Sequence, residues 1–307
     1  MMQGADRLRP CWASLPAPFR DDIVALIGGT FVSDIPAHGG FSSAYAGTVT
    51  TTAGRAFVKA AAADGHGDSL LFLAREAAVL AHLTTPLAPR LLGHLHDEHG
   101  TAVVIETVDG HHPGAPWTTA DLHTVAESLR ELASTAAPTG LPAAQTSMLP
   151  GFTRWHDIAG TPGLRGALPA GLVEKVNRLI SVERGFAEAV RGDVLVHDDV
   201  RADNILIEND RVRLLDWPHA RRGAPWIDLP CLLPSIEAAG GPSCADAYPL
   251  FLDHGAPAAK ELLPVIAGFA SYLWWEQAQP EIPELPGLRA FQRAQALPAL
   301  RWVSTLI

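Results

Sequence analysis

The stretch Val194-Leu195-Val196-His197-Asp198-Asp199-Val200-Arg201-Ala202-Asp203-Asn204-Ile205-Leu206-Ile207 sets two apolar runs on either side of a polar loop. A short turn, Glu208-Asn209-Asp210, leads from it into Val212-Arg213-Leu214-Leu215-Asp216. If 205–207 pairs antiparallel with 212–215 around that turn, Asn204 and Asp216 face each other at the open end. Opposed residues on paired strands lie about 5 Å apart. An amide oxygen and a carboxylate at that separation suit a hard cation such as Mg2+, which takes few protein oxygens together with substrate phosphates. Asp199, in the same loop, approaches the same space. Each acidic residue taken alone reads more readily as a solvated loop or strand-end residue than as a functional one. The joint pattern, H-x-D-x-x-x-x-N followed by an Asp closing an apolar strand, arises by chance in roughly one chain of this length in a hundred, or fewer.

A second signal lies upstream. Ala56-Phe57-Val58-Lys59-Ala60 puts Lys59 in an apolar strand, on the same face as Phe57 by two-residue alternation. Only three of the 23 basic residues are Lys (Lys59, Lys175 and Lys260), so a lysine in such a strand calls for a chemical reason. In the helical segment that follows, Leu73, Glu76, Leu80 and Leu83 fall on one face. A carboxylate on a stripe that packs against a sheet is costly unless paired. Either Lys59 is its partner, or Glu76 reaches water at the edge of the face.

With these motifs the sequence resembles the aminoglycoside phosphotransferase family, the choline kinase/aminoglycoside kinase group of protein-kinase-like folds. The family loop H-G-D-x-H-x-x-N is similar to His197-Asp198-Asp199-Val200-Arg201-Ala202-Asp203-Asn204. The family's I-D-W is similar to Leu215-Asp216-Trp217, and its G-x-P-x-x-D-L to Gly223-Ala224-Pro225-Trp226-Ile227-Asp228-Leu229. The resemblance implies that Asp199 is the catalytic carboxylate for the acceptor hydroxyl and that Asn204 and Asp216 hold Mg2+. It implies that Asp228 braces the loop from behind and that His197 packs beneath it without acting as a base. Lys59, fixed by Glu76, would meet the α- and β-phosphates of ATP. Gly39, Gly40 and Ser42 lie where the fold covers the nucleotide phosphates, although a full G-x-G-x-x-G is absent. Val103 to Gly110 resembles the hinge, with the Glu106 carbonyl and the Val108 amide on the adenine edge. Main-chain groups leave ATP and GTP undistinguished. Two positions depart from the family. Asp198 replaces a glycine, which implies backbone strain or an added acidic contact. Arg201 stands where the family often has His; it is either an outward-facing surface residue or a cation for the γ-phosphoryl group.

The expected fold is α+β and two-lobed, protein-kinase-like. Residues 1–107 form a small five-stranded β lobe with one helix packed on it, which the resemblance makes the nucleotide side. Its elements are a short helix over Phe19–Ile27, three strands across 31–61, a helix over Ser69–Leu83, and strands at Leu91–Leu95 and Val103–Ile105. Residues 108–117 form a Pro/Gly-punctuated connector. Residues 118–307 form a larger, mainly helical lobe, with helices expected at 119–135, 169–189, 244–253, 258–277 and 286–304 and a loop at 137–150.

Composition narrows the partners. The 307 residues are 48% hydrophobic and 18% charged, a globular composition, with a net charge of −10. That charge repels polyphosphate backbones and disfavours nucleic acid; a cationic small molecule is favoured instead. The longest apolar run, Leu262 to Trp275, is too short to span a bilayer. Three scattered cysteines suggest neither a disulfide framework nor a zinc site. A cytoplasmic protein is expected, with its oligomeric state open. Asp246 and Glu276, with Asp253, Glu281 and Glu284, are the acidic residues of the helical part suited to attract an amine. The functional expectation is an ATP- and Mg2+-dependent transfer of the γ-phosphoryl group to a small-molecule hydroxyl. The acceptor could be an aminoglycoside or other antibiotic, as in resistance, or a metabolite such as choline, homoserine or a sugar. A catalytically silent nucleotide-binding scaffold is the alternative from another class. A protein kinase is disfavoured, because Trp217-Pro218 follows Asp216 and no activation segment is evident.

Overall fold

The computed structural model describes residues 10–37, 42–65, 67–114 and 116–307. Strands β1 (Phe31–Pro36), β2 (Tyr45–Thr51), β3 (Arg55–Ala62), β4 (Leu91–Asp97) and β5 (Gly100–Ile105) form an antiparallel sheet in the order β1-β2-β3-β5-β4. Alternation along β3 and β5 divides its interior. Ala56, Val58, Ala60, Ala102 and Val104 share a core with Trp12, Phe19 and Ile23. Ala61, Val103 and Ile105, with Phe57 packed against them, join the larger core with Leu73, Ala77 and Leu80. The helices Ala17–Ile27 and Gly67–Leu80 therefore cover opposite faces. Lys59 points with Phe57 to the side of the second helix.

Beyond β5 the chain runs beside β7 (Ile205–Glu208), the strand that follows the polar loop. His111 N donates to the Ile207 carbonyl at 3.1 Å, and Ile207 N to the His111 carbonyl at 2.8 Å. Gly110 permits this approach, since a Cβ there would come within 2.8 Å of the Ile207 carbonyl oxygen. Thr118 then starts the helix Thr119–Leu132. Its hydroxyl accepts from Asp121 N, and the Asp121 carboxylate accepts from Thr118 N, a capping box that stabilises a helix start by ~1 kcal/mol.

The rest is mainly helical, with the longer helices at Val176–Glu183, Leu229–Ala238, Cys244–Asp253, Leu263–Glu276 and Leu288–Leu306. The helix expected over 169–189 is shorter. Pro169 and Gly171, at φ 84°, delay its start, and Gly185 separates it from the turn Phe186–Ala189. The helix expected from 258 begins at Leu263, with Pro264 in its first turn where no amide partner is lost. The 137–150 stretch holds a helical turn, Ala144–Ser147. Leu229–Ala238 was not expected, because Pro230 and Pro234 disguise it. Strand β8 (Arg211–Leu214) pairs with β7 around Asn209 and Asp210, whose φ values of 50° and 59° make the tight primed turn suited to a hairpin. Strands β6 (Val194–Val196) and β9 (Arg221–Gly223) pair separately. Among the described residues no helix is long and apolar enough to cross a membrane.

Candidate active site

The polar loop hangs between β6 and β7, and the hairpin register determines what it faces. Ile205 pairs with Leu214, so Asn204 lies opposite Leu215, whose amide donates to the Asn204 carbonyl at 2.8 Å. The expected opposition of Asn204 and Asp216 is thus off by one residue. Asp216 follows the ladder, at φ 65°, a left-handed conformation that turns it out of the strand direction.

Buried groups hold the loop from behind. The Asp228 carboxylate accepts from His197 N at 3.0 Å and from Asp198 N at 2.7 Å, and its burial pushes its pKa up to about 7. Both ring nitrogens of His197 are engaged. Nδ1 accepts from Asp199 N at 3.3 Å, so Nε2 carries the proton and donates to the Leu215 carbonyl at 2.9 Å. Burial lowers its pKa to about 3, and its ring packs on the fully buried Trp217. Such an imidazole stays neutral, with both ring nitrogens already engaged. Ser235, from the unexpected helix, accepts from Ala202 N at 3.0 Å.

Asp198 meets both consequences foreseen for a residue in place of glycine. Its φ is 63°, and its buried carboxylate pairs with Arg221 of β9. Arg221 was not singled out from sequence, because only the β6–β9 pairing brings it there.

On the solvent side stands Asp199. Arg201 Nη1 donates to its two carboxylate oxygens at 2.6 and 2.7 Å, while Arg201 Nε and Nη2 donate to Asp203 at 3.0 and 3.1 Å. Burial pushes the Asp199 pKa up to about 6, against the opposing pull of Arg201. Arg201 is therefore not an outward-facing surface residue: its side chain is 17% exposed and lies over the Phe291 ring at 5.3 Å. Asn204 Nδ2 donates to the Asp199 backbone carbonyl at 2.9 Å and to its carboxylate at 3.0 Å. Its nitrogen being held, the amide oxygen is the end left for a further partner.

Lys59 meets the loop from the sheet. Its ammonium donates to Glu76 Oε1 and Oε2 at 2.7 and 2.9 Å and also contacts Asp216 Oδ1. Glu76 is buried and accepts as well from Trp217 N at 3.4 Å, so it does not reach water. Burial alone would raise the Asp216 pKa, but Lys59 outweighs it and holds the group at about 2. Asp216 stays 44% exposed. Two hard oxygen donors, from Asn204 and Asp216, thus fit Mg2+ by type.

Of the other candidates, Gly39 and Gly40 lie outside the described residues. Ser42 Oγ accepts from Ala44 N at 3.1 Å in a local turn. The Glu106 side chain is turned to Arg90 and Arg213, while among the described residues nothing hydrogen-bonds the Glu106 carbonyl or the Val108 amide. Asp246 closes a helix cap with Ser243, at 2.6 Å. Glu276 pairs with Arg289 at 3.0 Å.

A family model described as the APH phosphotransferase enzyme family matches residues 35–262. The chain belongs to this family. It is a phosphotransferase, and relatives in the fold act on small molecules. A spectinomycin phosphotransferase solved with ADP and spectinomycin is 14% identical, covers 95% of this chain and 99% of its own, and superposes with a TM-score of 0.63. A choline/ethanolamine kinase family protein from Mesorhizobium loti is 17% identical over 94% and 98% of the two chains, with a TM-score of 0.59. A microcompartment-associated aminopropanol kinase is 15% identical over 94% and 98%, with a TM-score of 0.56. At these identities the likeness establishes the protein-kinase-like α+β fold. No curated protein matches the chain.

Proposed function

We propose that this phosphotransferase uses ATP with Mg2+ and transfers the γ-phosphoryl group to an alcohol of a small molecule in the cytoplasm. The observation that carries the reading is that Asn204 hydrogen-bonds Asp199 in the polar loop, Lys59 of β3 pairs with Asp216 after β8, and the Leu215 amide, beside Asp216, bonds the Asn204 carbonyl. On this reading residues 1–107 carry the nucleotide side, 108–117 the connector, and 118–307 the catalytic loop and acceptor side.

The acceptor hydroxyl donates to the Asp199 carboxylate, which aligns its oxygen with the γ-phosphorus. As the new O–P bond forms, the bond to the β-phosphate oxygen breaks, ADP leaves, and the hydroxyl proton passes to Asp199. Arg201 keeps that carboxylate ionised and oriented, a role supported by its two donors at 2.6 and 2.7 Å. Lys59, steadied by Glu76, meets the α- and β-phosphates. Asn204 and Asp216 would hold Mg2+, which when bound offsets phosphate charge. The Glu106 carbonyl and Val108 amide take the adenine edge. Structures of relatives bound to or named for spectinomycin and aminopropanol support a small polar alcohol as acceptor class, for resistance or for metabolism.

The test is Asp199→Asn. It is expected to lower phosphoryl transfer by roughly a thousandfold while ATP still binds within a few-fold of wild type. Unchanged turnover would remove Asp199 from the mechanism, and loss of ATP binding alone would make its role structural.

A further inference from the structure

Resting on the proposed ATP-dependent transfer, we infer that Asp203 is a positioning residue for that reaction. It grips one edge of the Arg201 guanidinium and so aims the remaining nitrogen at Asp199.

The loop itself builds this arrangement. Arg201 is extended, at φ −134° and ψ 161°, and the single turn Ala202–Asn204 then carries Asp203 back beside it. That turn is fixed at three points of its backbone. Ala202 N donates to Ser235 Oγ at 3.0 Å, Asn204 N to the Arg201 carbonyl at 3.0 Å, and Leu215 N to the Asn204 carbonyl at 2.8 Å. Asp203 therefore projects from an anchored Cα. Its Oδ1 accepts from Arg201 Nε at 3.0 Å and its Oδ2 from Nη2 at 3.1 Å, the parallel two-point pairing of a carboxylate with a guanidinium edge. Among the described residues, Arg201 is the one hydrogen-bond partner of that carboxylate. The grip leaves Nη1, which stands 2.6 and 2.7 Å from the two oxygens of Asp199.

A stabilising ion pair is the plainer account of Asp203, and its exposure argues against it. The Asp203 side chain is 38% exposed, and pairs of that kind contribute little to folding. Control of Arg201 is the larger effect. An arginine tethered through one nitrogen keeps most of its side-chain rotations, whereas a two-point grip removes them. The grip also decides which edge Asp199 meets. Freed from Asp203, the guanidinium would pair with Asp199 through the two-nitrogen edge that Asp203 now occupies, and so cover the oxygens that must accept the acceptor hydroxyl. Held as it is, Arg201 presents Nη1 alone, and the Asp199 carboxylate stays oriented with room for a further donor. Asp203 touches none of the reacting atoms and acts through Arg201.

The experiment compares wild type, Asp203→Asn, Arg201→Ala and the double variant by ADP release from ATP with Mg2+. The acceptor is whichever of spectinomycin, choline, ethanolamine and aminopropanol the wild type phosphorylates fastest, with water as acceptor where none reacts. Asparagine keeps the size of Asp203 but turns one acceptor oxygen into a donor, which breaks the two-point grip. Asp203→Asn is expected to lower kcat by about 10–100-fold, the scale of a small misplacement at the reacting centre. The ATP KM should stay within threefold of wild type, and the thermal midpoint within about 2 °C. In the Arg201→Ala background the same change should alter kcat less than twofold, because no guanidinium remains to be aimed. An unchanged kcat in Asp203→Asn overturns the inference, and so does an equal loss in both backgrounds. A thermal midpoint lowered by many degrees, or an ATP KM that rises while kcat holds, makes the residue structural or nucleotide-binding and overturns it too. Each of these results leaves ATP-dependent transfer standing. A wild-type protein that releases no ADP with any of these acceptors or with water overturns that reading, and the inference with it.

Discussion

The ammonium of Lys59 lies 2.7 and 2.9 Å from the two oxygens of Glu76, and the pair is almost withdrawn from solvent, with side-chain exposures of 15% and 3%. Removing one charge strands the other in a poorly polarisable interior, which costs about 3–5 kcal/mol. Glu76→Gln is therefore expected to lower the thermal midpoint by several degrees and weaken nucleotide binding at least tenfold, read by calorimetry and ATP titration. A midpoint and an affinity both equal to wild type would show that Lys59 is held by Asp216 alone.

Arg201 bridges Asp199 and Asp203 with three donor nitrogens. A lysine has the charge but not the fork. Arg201→Lys is expected to reduce kcat by about 10–100-fold, the scale of a small misplacement of a reacting group. The ATP KM should change less than threefold. If KM rises and kcat holds, Arg201 binds nucleotide and does not orient the base.

Asp198 adopts φ 63°, a conformation that costs an L-residue about 1–2 kcal/mol, yet its buried carboxylate pairs with Arg221. Asp198→Gly relieves the backbone but leaves Arg221 without its partner, and urea denaturation should register a net loss. Adding Arg221→Leu should recover most of it. Losses that simply add across this double-mutant cycle would show that the two residues are not coupled.

Glu183 is a buried carboxylate whose hydrogen bonds come from Trp155 N at 3.1 Å and Ser271 Oγ at 3.1 Å. Burial raises its pKa above the ordinary 4.5. The folded protein then binds this proton more tightly than the unfolded chain, so stability from this group is fullest below pH 4.5 and is lost as pH rises through the folded value. Thermal midpoints of wild type and Glu183→Gln, measured between about pH 4.5 and 8.5, should diverge with the wild type losing ground at high pH. Parallel curves would show that Glu183 titrates normally.

What could be read without coordinates was local or periodic. The Lys59–Glu76 contact was legible because a charged residue on a buried helical stripe needs a partner, and β3 offered one. The hairpin was legible from its turn, but not its register: one residue decided whether Asn204 opposed Leu215 or Asp216. Ser235 stayed hidden because Pro230 and Pro234 read as breaks, although Pro230 falls in the first turn, where a missing amide costs nothing. Arg221 and Phe291 stayed hidden for another reason. They reach the loop only through strand pairing and helix packing between distant segments, which no local spacing encodes.

The turn at Asp198 also bears on how such proteins are found. A signature that demands glycine after the histidine reads chemical identity where the chain needs only backbone handedness. Aspartate satisfies that need here, given a guanidinium 23 residues downstream to neutralise it. Search patterns written for handedness plus a compensating basic residue would recover relatives that a glycine-only pattern passes over.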